Sequence, residues 1–97
     1  MKGKDITEIK QVLKLNREEM AKMCGVHPTT IYRWEKNGKN EISGIEPMQA
    51  GILLKLLNKI KNNSKEINKI SRDIKNALLI GGAIFGLYIL LKALFDE

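Results

Sequence analysis

Residues 16–38, NREEMAKMCGVHPTTIYRWEKNG, predict two short helices joined by a tight turn. Asn16 is a favourable N-cap residue, and Glu19 three positions later completes a capping box. Gly25 stands where a helix commonly ends in the left-handed conformation. Pro28 then suits the first position of the next helix, because an N–H is not needed there. Helical spacing turns five apolar residues of this stretch inward: Met20, Ala21, Cys24, Ile31 and Trp34.

The second of these helices keeps its polar side chains on the outside. Thr29, Thr30, Tyr32 and Arg33 remain available for contacts, because the inward positions are taken by apolar residues. Two helices in this arrangement are typical of a helix-turn-helix that reads DNA, in which the second helix lies in the major groove.

The same stretch resembles the phage repressor (Cro/C1-type, XRE) helix-turn-helix family. The resemblance rests on LNREEMA at 15–21, Gly25-Val26 and IYRWE at 31–35, and it covers about residues 6–57. It implies a small all-α domain that binds double-stranded DNA. Some membrane proteins use the same domain to dock another protein, so the fold by itself does not determine the function.

The resemblance also implies which side chains contact DNA. Base contacts fall on Pro28, Thr29 and Arg33, although Pro28 departs from the polar residue common in the family. The Arg33 guanidinium suits the two acceptors of guanine. Tyr32 is expected either to reach the DNA backbone or to pack on the domain surface. The full set of expected backbone contacts is Asn16, Arg17, His27, Thr30, Tyr32, Lys36, Asn37, Lys39 and Asn40. Glu35 is expected to pair with a basic side chain of the domain and not to contact DNA, because its negative charge is repelled by phosphate.

Composition narrows the class of protein. The 97 residues carry a net charge of +6, and all the basic residues except Lys92 lie within residues 1–76, which suits phosphate or an anionic membrane surface. Cys24 is the single cysteine and is expected to be a buried thiol. No nucleophile–base pair, metal-ligand cluster or phosphate-binding glycine loop is present, so we expect neither an enzyme nor a cofactor or metal site.

The fold expected is all-α: a small repressor-like domain of four helices followed by a long C-terminal helical segment. Helix 1 is predicted at about residues 5–13, a loop at 37–46, and a fourth helix from Pro47. The predicted divisions are a DNA-binding domain at 1–60, an amphipathic linker or coiled-coil helix at 61–76 and an apolar helix at 77–97.

A heptad pattern runs through the second half of the chain. One register comprises Leu53, Ile60, Ile67 and Ile74, and the companion register comprises Leu56, Asn63, Ile70 and Ala77. The pattern favours a parallel two-stranded coiled coil and therefore a homodimer. The alternative is a break at 62–64, followed by an amphipathic helix that folds against its own domain.

Residues 77–95 form an apolar run, ALLIGGAIFGLYILLKALF, that is interrupted only by Lys92. As a helix it would be about 28 Å long, close to the hydrocarbon thickness of a bilayer. We interpret it as a single membrane anchor, or alternatively as a buried oligomerisation helix. The charged N-terminus does not resemble a signal peptide. The lysines before the run place the DNA-binding domain in the cytoplasm, with the anchor in the inner membrane.

These observations predict a dimeric, sequence-specific DNA-binding transcriptional regulator with its recognition helix at about residues 28–36. The alternative is a membrane-anchored interaction protein that uses the helix-turn-helix domain to dock another protein.

Overall fold

The computed structural model describes residues 1–81, and this part of the chain is all-α, as predicted. Its elements are α1 (Gly3–Val12), α2 (Arg17–Cys24), α3 (Pro28–Lys36), α4 (Pro47–Asn62), a 3₁₀ turn (Ser64–Glu66) and α5 (Ile67–Gly81). Among these residues no helix combines the length and the apolar character needed to cross a membrane.

The predicted ends of α2 and α3 are confirmed. Asn16 Oδ1 accepts the N–H of Glu19 at 2.7 Å, and Glu19 Oε1 accepts the N–H of Asn16 at 2.9 Å, so the capping box is formed. Gly25 ends α2 in the left-handed conformation with φ of 70°. His27 caps α3, and Pro28 occupies its first turn.

Helix α1 begins at Gly3, two residues earlier than the predicted Asp5, because tertiary contacts extend it. Asp5 Oδ2 accepts the N–H of Lys2 at 2.9 Å and so caps the helix. The N–H of Lys4 donates to Gly38 O at 2.8 Å, in the turn that follows α3. A Cβ on Gly3 would lie 2.3 Å from Trp34 O, so the backbones of α1 and α3 meet where only glycine fits.

The continuous coil predicted through the heptads is not formed. Helix α4 ends at Asn62, and Asn63 adopts φ of −132° and ψ of 65°, which are not helical values. Most heptad positions on both sides of this break are buried in the chain's own core, Ile60 and Ile74 among them, and Ile67 is partly buried against it. The break and the helix that folds back were the alternative interpretation of the pattern, and they account for its period.

Helix α5 packs against α2 and belongs to the same core as the first four helices. It begins at Ile67 and continues to Gly81, so the predicted boundary at 76/77 falls inside one helix. Ser71 is buried and donates a hydrogen bond to Leu13 O at the end of α1. Gln49 of α4 likewise donates to Cys24 O at the end of α2. Both contacts satisfy carbonyl groups that a helix end leaves without a partner in the helix.

The shared core contains every helix from α1 to α5. Its fully or nearly fully buried members are Ile6, Ile9, Leu13, Leu15, Met20, Ala21, Met23, Cys24, Ile31, Trp34, Ile42, Leu53, Leu56, Leu57, Ile60, Ile70, Ile74 and Leu78. Cys24 is buried, as predicted, and burial raises the pKa of its thiol to about 12. The thiolate, which is the reactive form, is therefore suppressed in the folded protein at neutral pH.

The predicted membrane segment, residues 77–95, lies mostly outside the described residues. Its first two members, Ala77 and Leu78, are buried in the protein core. In this conformation they cannot contact lipid, so the part of the run that is free to do so begins at Leu79.

Gly3→Ala is expected to destabilise the protein by about 1–3 kcal/mol, because its methyl group would overlap backbone atoms of Trp34 and Gly38. Gly51→Ala in α4 is the matched control. A Cβ there meets nothing within 4 Å, so the substitution should stabilise the helix by up to about 1 kcal/mol. Denaturant unfolding of both variants measures the difference. Equal effects would contradict the close approach of α1 to α3.

Ile74→Ala is expected to cost about 2–5 kcal/mol, because the side chain is fully buried between α5 and the rest of the core. Ile80→Ala is the control, since this side chain is 81% exposed and should change stability by no more than about 0.5 kcal/mol. The modification rate of Cys24 by a thiol reagent reports the opening of the core. It should rise at least about thirtyfold in the first variant, and an unchanged rate would show that α5 does not stabilise the domain.

Candidate nucleic-acid interface

Helix α3 is held against the domain by both apolar and polar contacts. Ile31 and Trp34 are buried on its inward face. Glu35 Oε1 lies 2.8 Å from Lys10 Nζ of α1, and Glu35 Oε2 accepts the hydroxyl of Thr7 at 3.1 Å. The prediction that Glu35 pairs with a basic side chain of the domain is therefore confirmed. These contacts fix the rotation of α3 about its axis.

The predicted base-contacting residues lie at the start and on the outward side of α3. Thr29 and Arg33 are exposed, and Pro28 is half-buried. Arg33 Nη2 lies 3.4 Å from Thr30 Oγ1, so the guanidinium rests along its own helix. A hydrogen bond this long is weak, and the side chain is free to extend toward a ligand.

His27 sits at the N-terminus of α3 and caps it. Its Nδ1 accepts the N–H of Thr29 at 3.1 Å and lies 3.0 Å from Thr29 Oγ1. A nitrogen that accepts an N–H is unprotonated, so the neutral ring carries its proton on Nε2. The exposed imidazole therefore keeps one hydrogen-bond donor for a ligand.

The Tyr32 ring contacts two cationic side chains from different helices. The Arg17 guanidinium at the start of α2 lies 4.9 Å from the centre of the Tyr32 ring, and the Lys36 ammonium at the end of α3 lies 4.7 Å from it. Both distances are within the range of cation–π attraction. The ring, which is 41% exposed, thus holds two positive charges beside the outward face of α3.

The remaining predicted backbone contacts include Asn16 at the start of α2 and three residues in the turn after α3. Asn16 is exposed, but its side-chain oxygen is already used in the α2 cap. Asn37 Nδ2 donates to Glu41 O at 3.1 Å, so this side chain stabilises the turn after α3. Lys39 and Asn40 are exposed on the same turn, which α1 holds through backbone hydrogen bonds. Every predicted contact residue is thus exposed or half-buried.

The geometry of α2, the turn and α3 agrees with comparison to known families. A family model described as helix-turn-helix matches residues 8–46. Over this segment the chain is similar to the helix-turn-helix family. The resemblance read from the sequence over residues 6–57 is confirmed for this segment, and it supports a DNA-binding regulator. No curated protein and no solved structure matches the chain.

Two contributors to the helix-turn-helix site were missed in the sequence. Lys10 and Thr7 of α1 hold Glu35 from 25 and 28 positions away, a separation that no local pattern reveals. The i, i+3 spacing of Thr7 and Lys10 does place both on one side of α1. That spacing was the only available signal, and it identifies no partner.

Glu35→Gln is expected to destabilise the domain by about 1–3 kcal/mol, because it leaves the half-buried Lys10 ammonium without its counter-charge. Glu8→Gln is the control. Its partner Lys61 is 3.4 Å away and both side chains are about half exposed, so the loss of unfolding free energy should be about 0–1 kcal/mol. Thermal unfolding compares the two. A larger loss in the control would contradict the importance of the internal pair.

Proposed function

We propose that this protein is a sequence-specific DNA-binding transcriptional regulator that places α3 in the major groove. The observation that supports it most strongly is the charged outward surface built by α2 and α3. Arg17 comes from the start of α2, Arg33 and Lys36 come from α3, and all three are exposed. Exposed cations around a short helix of this kind match the phosphate backbone on both sides of a groove.

Within this proposal the side chains have different tasks. Arg33 reads a base, for which guanine with its two acceptors is the best partner, and Thr29 contacts a neighbouring base or a thymine methyl group. Pro28 offers only an apolar surface. Arg17 and Lys36 contact phosphates. Their contacts with the Tyr32 ring limit the rotamers of both side chains before DNA binds, and so lower the entropy cost of ordering them on the DNA.

Lys39, Asn40 and the His27 imidazole complete the contacts to the backbone in the same proposal. Lys39 and Asn40 extend from the turn after α3, and this turn is fixed by its hydrogen bonds to α1. His27 offers its remaining N–H at the other end of the helix. Such contacts orient the domain on the duplex without reading its sequence.

The homodimer remains a prediction. Its original basis, the heptad pattern, is accounted for by burial within one chain. The functional argument for a dimer is independent of the coil: one small module makes few contacts, and two linked modules gain affinity from effective concentration.

We also propose that the apolar run anchors this regulator in the membrane, with its DNA-binding domain in the cytoplasm. The sequence of the run and the basic residues before it support this orientation. The side chains of Leu79 and Ile80, at the start of the free part of the run, are exposed on α5.

Arg33→Ala is expected to cost about 1–3 kcal/mol on the best DNA site and to relax the preference at one base position. Lys39→Ala, the matched cation outside the recognition helix, should weaken binding to all sequences alike and lower the salt dependence by about one phosphate contact. Selection of bound sequences followed by titration at several salt concentrations measures both effects.

The alternative function predicts a different result in the same experiment. If wild-type protein shifts no DNA but retains a specific protein partner, and Arg33→Ala removes that partner, the domain is a docking module and not a DNA reader.

A further inference from the structure

The outward side of the C-terminal helix changes from basic to apolar along its length. Lys65 in the 3₁₀ turn and Lys69 and Arg72 in α5 are exposed, and the next large outward side chains, Leu79 and Ile80, are 85% and 81% exposed. We call these five residues the outer face. Lys65 precedes α5, and the other four lie on the exposed side of α5, away from the buried Ile74 and the core.

Within residues 1–81 the basic part of the outer face is not neutralised by acidic side chains. Among residues 1–81, Lys65, Lys69 and Arg72 form no ion pair. Of the two acidic residues nearby, Glu66 lies 4.0 Å from Lys59, and Asp73 is half-buried. In this described part of the chain the outer face therefore offers positive charge without an ion-pair partner and, beyond the exposed Asn76, exposed apolar surface.

We infer that the outer face binds an anionic lipid surface, with the three cations at headgroup phosphates and Leu79 and Ile80 at the start of the acyl layer. The inference rests on the proposed membrane anchor and adds a specific lipid class and contact surface to it. Basic side chains that precede an apolar helix at the cytoplasmic side match the charge of anionic headgroups.

Two other occupants fit the outer face less well. A DNA duplex supplies phosphates for the cations, but its backbone offers no apolar surface for Leu79 and Ile80. A second copy of this chain could cover the apolar pair, but in a two-fold contact the outer face meets itself and supplies no acidic group to the three cations. An anionic bilayer satisfies both parts of the face at once.

The expected effect follows from the charge count. Each basic side chain near an anionic surface raises the binding constant about fivefold. Three cations therefore raise the binding constant for an anionic bilayer over a neutral one by roughly a hundredfold. The preference should fall steeply with added salt, because the cations are exposed.

The experiment uses the full chain with a fluorophore on Asn68→Cys, an exposed position at the edge of the outer face. Labelling is selective because Cys24 is buried and burial raises its thiol pKa. The protein is reconstituted into vesicles of phosphatidylcholine alone or mixed with phosphatidylglycerol, and a headgroup-attached quencher reports docking of α5 on the surface. We expect strong, salt-sensitive quenching only with phosphatidylglycerol.

Lys69→Gln with Arg72→Gln should lower the ratio of docked to undocked α5 about 25-fold on the anionic vesicles. Lys4→Gln with Lys22→Gln is the matched control, because both lysines are exposed elsewhere on the domain and the net charge changes equally. This second pair should leave quenching unchanged.

Vesicle flotation separates the inference from the anchor on which it rests. Flotation with both lipids but equal quenching would overturn the inference and leave the anchor standing. Flotation only with phosphatidylglycerol would support binding of the outer face to anionic lipid and would contradict the proposed membrane anchor. If the double variant Lys69→Gln with Arg72→Gln instead weakens DNA binding, the outer face binds DNA and the inference is wrong. If the outer face is protected in a lipid-free dimer, it binds a second copy of the chain and the inference is likewise wrong.

Discussion

A helix of nine residues, such as α3, is too short to persist in water by itself, so its shape depends on what it buries. Ile31 and Trp34 supply that burial. Because side-chain directions on a helix are set by its backbone, burying these two residues also determines where Thr29 and Arg33 point. The pair of Glu35 with Lys10 adds a directional constraint to a contact that would otherwise depend on packing alone. The geometry of the proposed reading surface is thus a property of the core.

Local features of this domain could be predicted from the sequence, and features created by distant contacts could not. The caps of α2 and α3 involve residues within four positions of one another, so Asn16, Gly25 and Pro28 identify them directly. The start of α1 depends on the close approach of its backbone to Trp34 and Gly38, more than 30 positions away. A glycine near the N-terminus does not by itself predict this contact. The outward residues of α3 were predicted for the same local reason. The cluster around Tyr32 was not, because it joins two helices.

The heptad pattern shows a different limit of sequence reasoning. A seven-residue repeat of apolar side chains records that one side of a helix is buried, but it carries no information about which surface buries it. Ile60 and Ile74 meet the core of their own chain because the backbone turns at Asn63. Ser71 belongs to neither heptad register, yet it is buried. In this fold its hydroxyl has a partner, the carbonyl of Leu13, which is visible only after α5 has folded back.

The docking of α5 has a consequence for the proposed regulator as a whole. Since Ala77 and Leu78 are used in the core, only residues 79–95 remain for a bilayer, and these seventeen residues are near the lower limit of about 17 for a spanning helix. No glycine or proline interrupts residues 67–80, so α5 provides a stiff connection and not a flexible linker. An anchored domain would then be held within about one or two helical turns of the lipid surface. DNA could reach α3 only by approaching the membrane closely, and the orientation of α5 would decide which duplexes have access.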